Sequence, residues 1–255
     1  MRPLGHTETR KAREERIFSR NERLDRAWEL YLRHDTLMDV PYVESLLAPI
    51  RPTREETEHF IISRSSDEKH QCHLGIFASG AYALLPEETI VYPLDTPELP
   101  MFGFRLEKTL IITGKVGADA GYEMRGTLVN YGTLGDWAVK CMVGTFVNHG
   151  AVGDDAALNF VGEIVNGGTA GARFGRQIIG AFSDYGTCGA QRFEYGIGQF
   201  DDHGVTEWRC VRKDKNRFLR DIMGYRQFTN ASIRMVLYDK YIIKPLYDAV
   251  RREFR

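Results

Sequence analysis

The sequence predicts a mainly β protein, a single-stranded β-helix (solenoid) of about five 18-residue coils with α-helical segments on both flanks. Three observations carry this reading. The stretch from Thr109 to Gly198 stacks on itself in lines of eighteen, so that TLIITGKVGADAGYEMRG lies over TLVNYGTLGDWAVKCMVG and TFVNHGAVGDDAALNFVG, and these over EIVNGGTAGARFGRQIIG and AFSDYGTCGAQRFEYGIG. Glycine recurs at every ninth position, at Gly117, Gly126, Gly135, Gly144, Gly153, Gly162, Gly171, Gly180, Gly189 and Gly198. Between the glycines, apolar residues keep the same register from line to line.

Each observation has a physical reading. A second glycine set recurs every eighteen residues at Gly114, Gly132, Gly150, Gly168 and Gly186. Glycine inside a strand costs about 0.5–1 kcal/mol relative to alanine. Fifteen such costs, about 7–15 kcal/mol, rival the stability of a whole domain. The expectation is therefore that the backbone at these positions takes positive φ at recurring corners. The apolar columns are Leu110, Leu128, Phe146, Ile164 and Phe182; Val116, Leu134, Val152, Ala170 and Cys188; and Met124, Met142, Phe160 and Ile178, with Ala120, Ala138 and Ala156 as a small-residue column. One coil cannot bury its own face, so neighbouring coils must cover it. Five coils at about 4.8 Å each give a prism about 24 Å tall. Helical repeats have longer periods, and a hexapeptide β-helix repeats its pattern every six residues, not nine.

The glycine lattice and the AGxxM turn at Ala120–Met124 resemble the glycine-repeat (GXGXG) β-helix, the domain that closes the large subunit of glutamate synthase and forms most of one of the subunits of formylmethanofuran dehydrogenase. The resemblance covers residues 109–198. It implies a structural and assembly element whose chemistry lies in other domains or subunits. The repeat departs from its own pattern at its end, where Asp184 replaces Asn and Arg192 enters the alanine column.

Net charge is −1 over 255 residues, but unevenly placed. Residues 1–33 hold nine basic and six acidic side chains, residues 205–255 thirteen and six, and residues 34–204 twelve and twenty-three, a net −11. A basic tail beside an acidic middle suggests either an internal electrostatic match or a surface for nucleic acid or anionic lipid. Four cysteines without paired spacing, Cys72, Cys141, Cys188 and Cys210, indicate reduced, cytoplasmic usage. No stretch is long and apolar enough for a secretory signal or a membrane span.

The chain divides into a charged N-terminal helix (1–35), an α/β capping region (36–108), the solenoid (109–198) and a basic C-terminal helical region (199–255). In the first, Ile17, Leu24, Trp28 and Tyr31 fall near one helical face. Val40-Pro41 reads as a break before a short helix over Val43–Leu47. Thr53 and Glu56 form a capping-box signature, although His59–Ile62 could equally open a strand. His73–Leu85 reads as a buried helix and Thr89–Tyr92 as a short strand. This region is expected to cover the open first rung, which would otherwise expose unpaired backbone. Past Asp201-Asp202-His203-Gly204, the chain is expected to become partly helical from about Asn216. A final helix capped at Thr229-Asn230 carries Ile233, Val236, Leu237, Tyr241, Ile243 and Val250 and is kinked at Pro245.

Several residue groups could carry chemistry. Asn130, Asn148 and Asn166 recur in V-N-x-G and fit a stacked amide ladder or turn residues better than a row of ligands. Asp136 and Asp154 lie one coil apart; a Ca²⁺ site would require more oxygen ligands than this pair supplies. His149, in the column Tyr131, His149, Gly167, Tyr185, is the residue that an acyltransferase would use as general base. His70, Cys72 and His73 fall short of the two separated ligand pairs of a zinc site. Residues 207–255 interleave Arg209, Arg212, Lys213, Lys215, Arg217 and Arg220 with Trp208 and Phe218, a pattern for phosphate contact and base stacking. No motif calls for a cofactor. The balance favours a non-catalytic scaffold that holds a homo-oligomer or protein complex together, ahead of a transferase or a nucleic-acid binder.

Overall fold

A computed structural model describes residues 22–34, 38–96, 99–192, 197–202 and 205–210. The N-terminal side is helical and the remainder is a β-solenoid. Helix α1 (22–32) buries Leu24, Trp28 and Tyr31, as its periodicity predicts. Ile17 and the C-terminal helices expected after Asn216 lie outside the described residues.

Helix α2 (Val40–Leu47) starts at the expected break, because a proline in the first helical turn forfeits no intrahelical hydrogen bond. Helix α3 (Arg54–Arg64) carries the capping box: Thr53 Oγ1 accepts from the Glu56 N–H at 3.3 Å, and Glu56 Oε2 accepts from the Thr53 N–H at 2.8 Å. That cap decides His59–Ile62 as helix, against the strand alternative. A 3₁₀ turn (Glu68–His70) leads into α4 (Gln71–Ala83), which is buried from Leu74 to Tyr82.

Helix α4 closes the open end of the solenoid. Gly75 lies so close to the Pro100 carbonyl that no Cβ fits between them. Buried Ser79 Oγ accepts from the Gly103 N–H at 2.8 Å and the Phe104 N–H at 3.1 Å. The Gly103 N–H thereby finds a partner that an uncovered end would leave to water, while the Phe104 N–H also donates to the Met101 carbonyl at 3.1 Å. From α4, Phe77 packs edge-on against Trp28, which also meets Phe60 edge-on, and Tyr82 packs edge-on against Phe102, which lies tilted on Tyr92.

The solenoid has a long and a short strand in each rung. The long strands are β1 (Thr89–Tyr92), β3 (Thr109–Ile112), β5 (Arg125–Asn130), β7 (Val143–Asn148), β9 (Val161–Asn166), β11 (Ile179–Asp184) and β13 (Ile197–Asp202). The short ones are β2 (Asp95–Thr96), β4 (Lys115–Val116), β6 (Thr133–Leu134), β8 (Ala151–Val152), β10 (Thr169–Ala170) and β12 (Thr187–Cys188). Both sheets are parallel in rung order, and from β3 onward the register advances by eighteen, as in Leu128↔Phe146 and Phe146↔Ile164. The predicted columns point inward: Leu110, Leu128, Phe146, Ile164, Met124, Met142, Phe160, Ile178, Ala120, Ala138 and Ala156 are fully buried, and the fourth column is buried from Val116 through Leu134 and Val152 to Ala170, with Cys188 half-buried at its end.

The ladder is longer than the repeat. It begins a rung earlier, at β1 and β2, where the pairings Thr89↔Thr109 and Asp95↔Lys115 advance by twenty residues instead of eighteen. At the other end β13 continues the long sheet, and β14 (Val205–Cys210) folds back on it antiparallel. The expected change to a helical region at 199 is thus displaced; residues 197–202 and 205–210 are strands.

The role of the glycines also differs from expectation. Among the described residues of the nine-residue lattice only Gly144, Gly162 and Gly180 have positive φ. What most of the positions share is contact. A Cβ on Gly126, Gly132, Gly144, Gly150, Gly162, Gly168, Gly180 or Gly186 would overlap a carbonyl oxygen of the preceding rung, and one on Gly135 or Gly189 would sit 2.7 Å from a backbone nitrogen there. Rungs touch backbone to backbone at these places, and only a hydrogen fits between them.

Left-handed conformations sit on the third face of the prism, on residues that are mostly not glycine. In successive rungs they fall at Met101, Gly103 and Arg105; Asp119, Gly121 and Glu123; Trp137, Val139 and Cys141; Asp155, Ala157 and Asn159; and Arg173, Gly175 and Gln177. This alternation turns successive N–H groups toward opposite neighbours. Asp119 N–H reaches forward to the Asp136 carbonyl at 2.9 Å, Gly121 N–H back to the Phe102 carbonyl at 2.7 Å, and Glu123 N–H forward to the Lys140 carbonyl at 3.0 Å. The hydrogen bonds gained offset the steric cost of left-handed backbone.

Candidate functional site

The asparagines form a ladder inside the prism. Asn130, Asn148 and Asn166 are wholly buried at the ends of β5, β7 and β9. Asn130 Nδ2 donates to Asn148 Oδ1, Asn148 Nδ2 to Asn166 Oδ1, and Asn166 Nδ2 to Asp184 Oδ1, each at 2.8 Å. Second Nδ2 bonds go to the Ala151 and Thr169 carbonyls at 3.0 and 3.3 Å, and Oδ1 of Asn130 and Asn166 accepts from the N–H two residues on. Their hydrogen-bonding capacity is spent on holding the turn between the two sheets.

The departures at the end of the repeat compensate one another. Asp184, fully buried, ends the amide ladder in a carboxylate that can only accept. Arg192 Nη1 meets its Oδ2 at 2.8 Å, and the Cys188 thiol donates to the same oxygen at 3.3 Å. Burial first, then the Asp184 carboxylate, pushes the Cys188 thiol up to about 12. It is therefore a protonated donor near neutral pH and no nucleophile.

Asp136 and Asp154 act as cross-rung staples. Asp136 Oδ1 accepts from the Asp154 N–H and Asp154 Oδ1 from the Ala172 N–H, both at 2.8 Å. Next to them Asp155 is buried, with Arg173 Nε at 2.9 Å from its Oδ1, Arg173 Nη2 at 2.5 Å from its Oδ2 and Arg176 at 3.6 Å. The Arg173 hydrogen bonds hold the Asp155 carboxyl below the usual range. Both pairs join residues eighteen apart, so the repeat register could have found them. Two further contacts escaped sequence reasoning. Lys140 Nζ lies 4.8 Å from the Trp137 ring centroid and 5.5 Å from that of Tyr122.

His149 is exposed, and its ring lies flat on Tyr131, centroids 4.9 Å apart and 14° from parallel. Tyr185 continues the column one rung past Gly167 and donates its hydroxyl to Asp201 Oδ2 at 3.1 Å. In the cap, His70 and His73 rings are 5.6 Å apart, and His70 Nδ1 lies 2.9 Å from Asp67 Oδ2. Burial, with His70 adding to it, shifts His73 down. Among the described residues no group of three or more His, Cys, Asp or Glu side chains is placed to hold a metal ion. Of the basic stretch 207–255, residues 207–210 form the end of β14 and the remainder lies outside the described residues. No helix among the described residues is long and apolar enough to cross a membrane.

The chain is thus a β-solenoid closed by helices at its N-terminal side. No protein-family model matches it, and comparison with curated proteins and with solved structures gives no match to either.

Proposed function

We propose that the chain is a cytoplasmic, non-catalytic scaffold whose solenoid holds a homo-oligomer or a larger protein complex together. One observation carries the reading. The recurrent polar residues of the repeat are committed to rung-to-rung bonds: the three asparagines to each other and to Asp184, and Asp136 and Asp154 to backbone N–H groups. Such groups stiffen the solenoid rather than turn over a substrate. The likeness of the repeat to structural GXGXG β-helices supports the same role. Size-exclusion chromatography with light scattering tests it. The expected result is a defined multiple of the 29.1 kDa chain, or co-elution with a stoichiometric partner; a strict monomer that co-elutes with nothing overturns it.

A further inference from the structure

One glycine of the solenoid is not required by the backbone. Gly167 lacks a left-handed φ, and a Cβ built on it meets only His149 Nδ1 at 3.5 Å and the Asn148 carbonyl oxygen at 3.7 Å, both ordinary contacts. Its neighbour Gly168 would drive a Cβ into the Gly150 carbonyl. Gly167 nonetheless holds the same place as three ring-bearing residues. The Tyr131, His149, Gly167 and Tyr185 N–H groups donate to Ile112, Asn130, Asn148 and Asn166 carbonyls, at 2.8 Å for the first and 2.7 Å for the others. That shared bond fixes each position one rung above the last.

The aromatic column therefore has one ring missing. Tyr131 and His149 show what the spacing does: rings on adjacent rungs stack at 4.9 Å. His149 and Tyr185 stand two rungs apart, about 9.5 Å at the usual strand spacing. One planar ring entering between them would lie at stacking distance from both. The floor is the bare Gly167 backbone, with Val165 and Thr169 on either side along the rung. The slot is open, since Tyr131, Tyr185, His149, Gly167 and Thr169 are all exposed.

We propose that this slot binds an aromatic side chain presented by a partner protein, in register with the stack. Charge selects this occupant over a nucleobase. Exposed Glu163 lies on the slot's own rung, Asp201 is bonded to the Tyr185 hydroxyl, and residues 34–204 carry twelve basic against twenty-three acidic side chains. A phosphate tethered to the stacked ring would meet that negative field. The proposal rests on the scaffold reading and gives it a contact point.

The test is an NMR titration of the full chain with N-acetyl-L-tryptophanamide and, in parallel, with AMP. The expected result is saturable shifts at the Gly167 amide and the His149 ring with the indole probe, and at least tenfold weaker binding of AMP. Gly167→Tyr, whose Cβ the contact distances admit, fills the slot with the chain's own ring and should weaken the indole probe at least tenfold. His149→Ala removes one wall and should weaken it severalfold, which keeps the proposal testable if the tyrosine variant misfolds. No shift at those groups, equal binding in both variants, or AMP binding as well as the indole probe would overturn it. An oligomer that ignores the probe defeats the slot alone; a strict monomer that binds it defeats the assembly reading alone.

Discussion

The two sheet faces and the third face of the prism meet the same demand by opposite means. All must bring successive rungs within hydrogen-bonding distance. On the sheet side the backbones touch, and glycine stands wherever a Cβ would strike the rung below, as at Gly132, Gly150 and Gly168. On the third face the chain alternates left-handed residues, and tolerates them at Trp137, Val139 and Cys141 because their N–H groups are turned onto a neighbouring rung. The contrast shows that glycine here answers to proximity, and that unusual φ is supported by hydrogen bonding instead.

Perturbations that separate the two regions rank in size. The largest effect is expected at the closing rung. Arg192→Ala leaves the buried Asp184 carboxylate without its guanidinium and should cost about 3 kcal/mol in urea unfolding; adding Asp184→Asn, which continues the amide ladder, should recover most of it. On the third face, Asp155→Asn breaks the charge-assisted bonds to Arg173 and should cost about 2 kcal/mol at pH 7. Its pH dependence has a definite sign. Because the folded carboxyl is held below its unfolded value of about 3.9, the stabilisation is complete above that value and fades as pH falls through the folded one. The wild type should therefore lose stability more steeply than Asp155→Asn below about pH 4, as followed by thermal melts. The smallest effect is Gln177→Gly. Relief of about 1–2 kcal/mol of left-handed strain outweighs about 0.5–1 kcal/mol of glycine entropy, for a gain of about 0.5 kcal/mol.

Much of this was legible in the amino-acid order alone. The eighteen-residue register placed Leu128 over Leu110 and Asn148 over Asn130, and parallel stacking turned both into buried columns. The Thr53–Glu56 box placed a helix start because its bonds are local. What stayed hidden was of three kinds. The first rung, 89–108, is twenty residues long and off the glycine lattice, so its pairing with β3 leaves no periodic trace. The Asp184–Arg192 bond joins two columns eight residues apart, and each residue read singly looked like decay of the repeat. The left-handed third face is carried in part by Trp137, Val139, Cys141 and Gln177, residues whose identity gives no warning of positive φ. For the candidate site, the column Tyr131, His149, Gly167, Tyr185 was visible, but the freedom of Gly167 depends on distances that only a folded chain supplies.

Adjacent glycines supply the most direct test. Gly167→Ala and Gly168→Ala are the same substitution one residue apart on one rung. With proximity as the governing demand, Gly168→Ala should lose about 3 kcal/mol in urea unfolding, at the top of the overpacking range. Gly167→Ala should gain about 0.4–1 kcal/mol from a stiffer unfolded chain. Equal tolerance of both changes, or a larger loss at Gly167, would contradict the account.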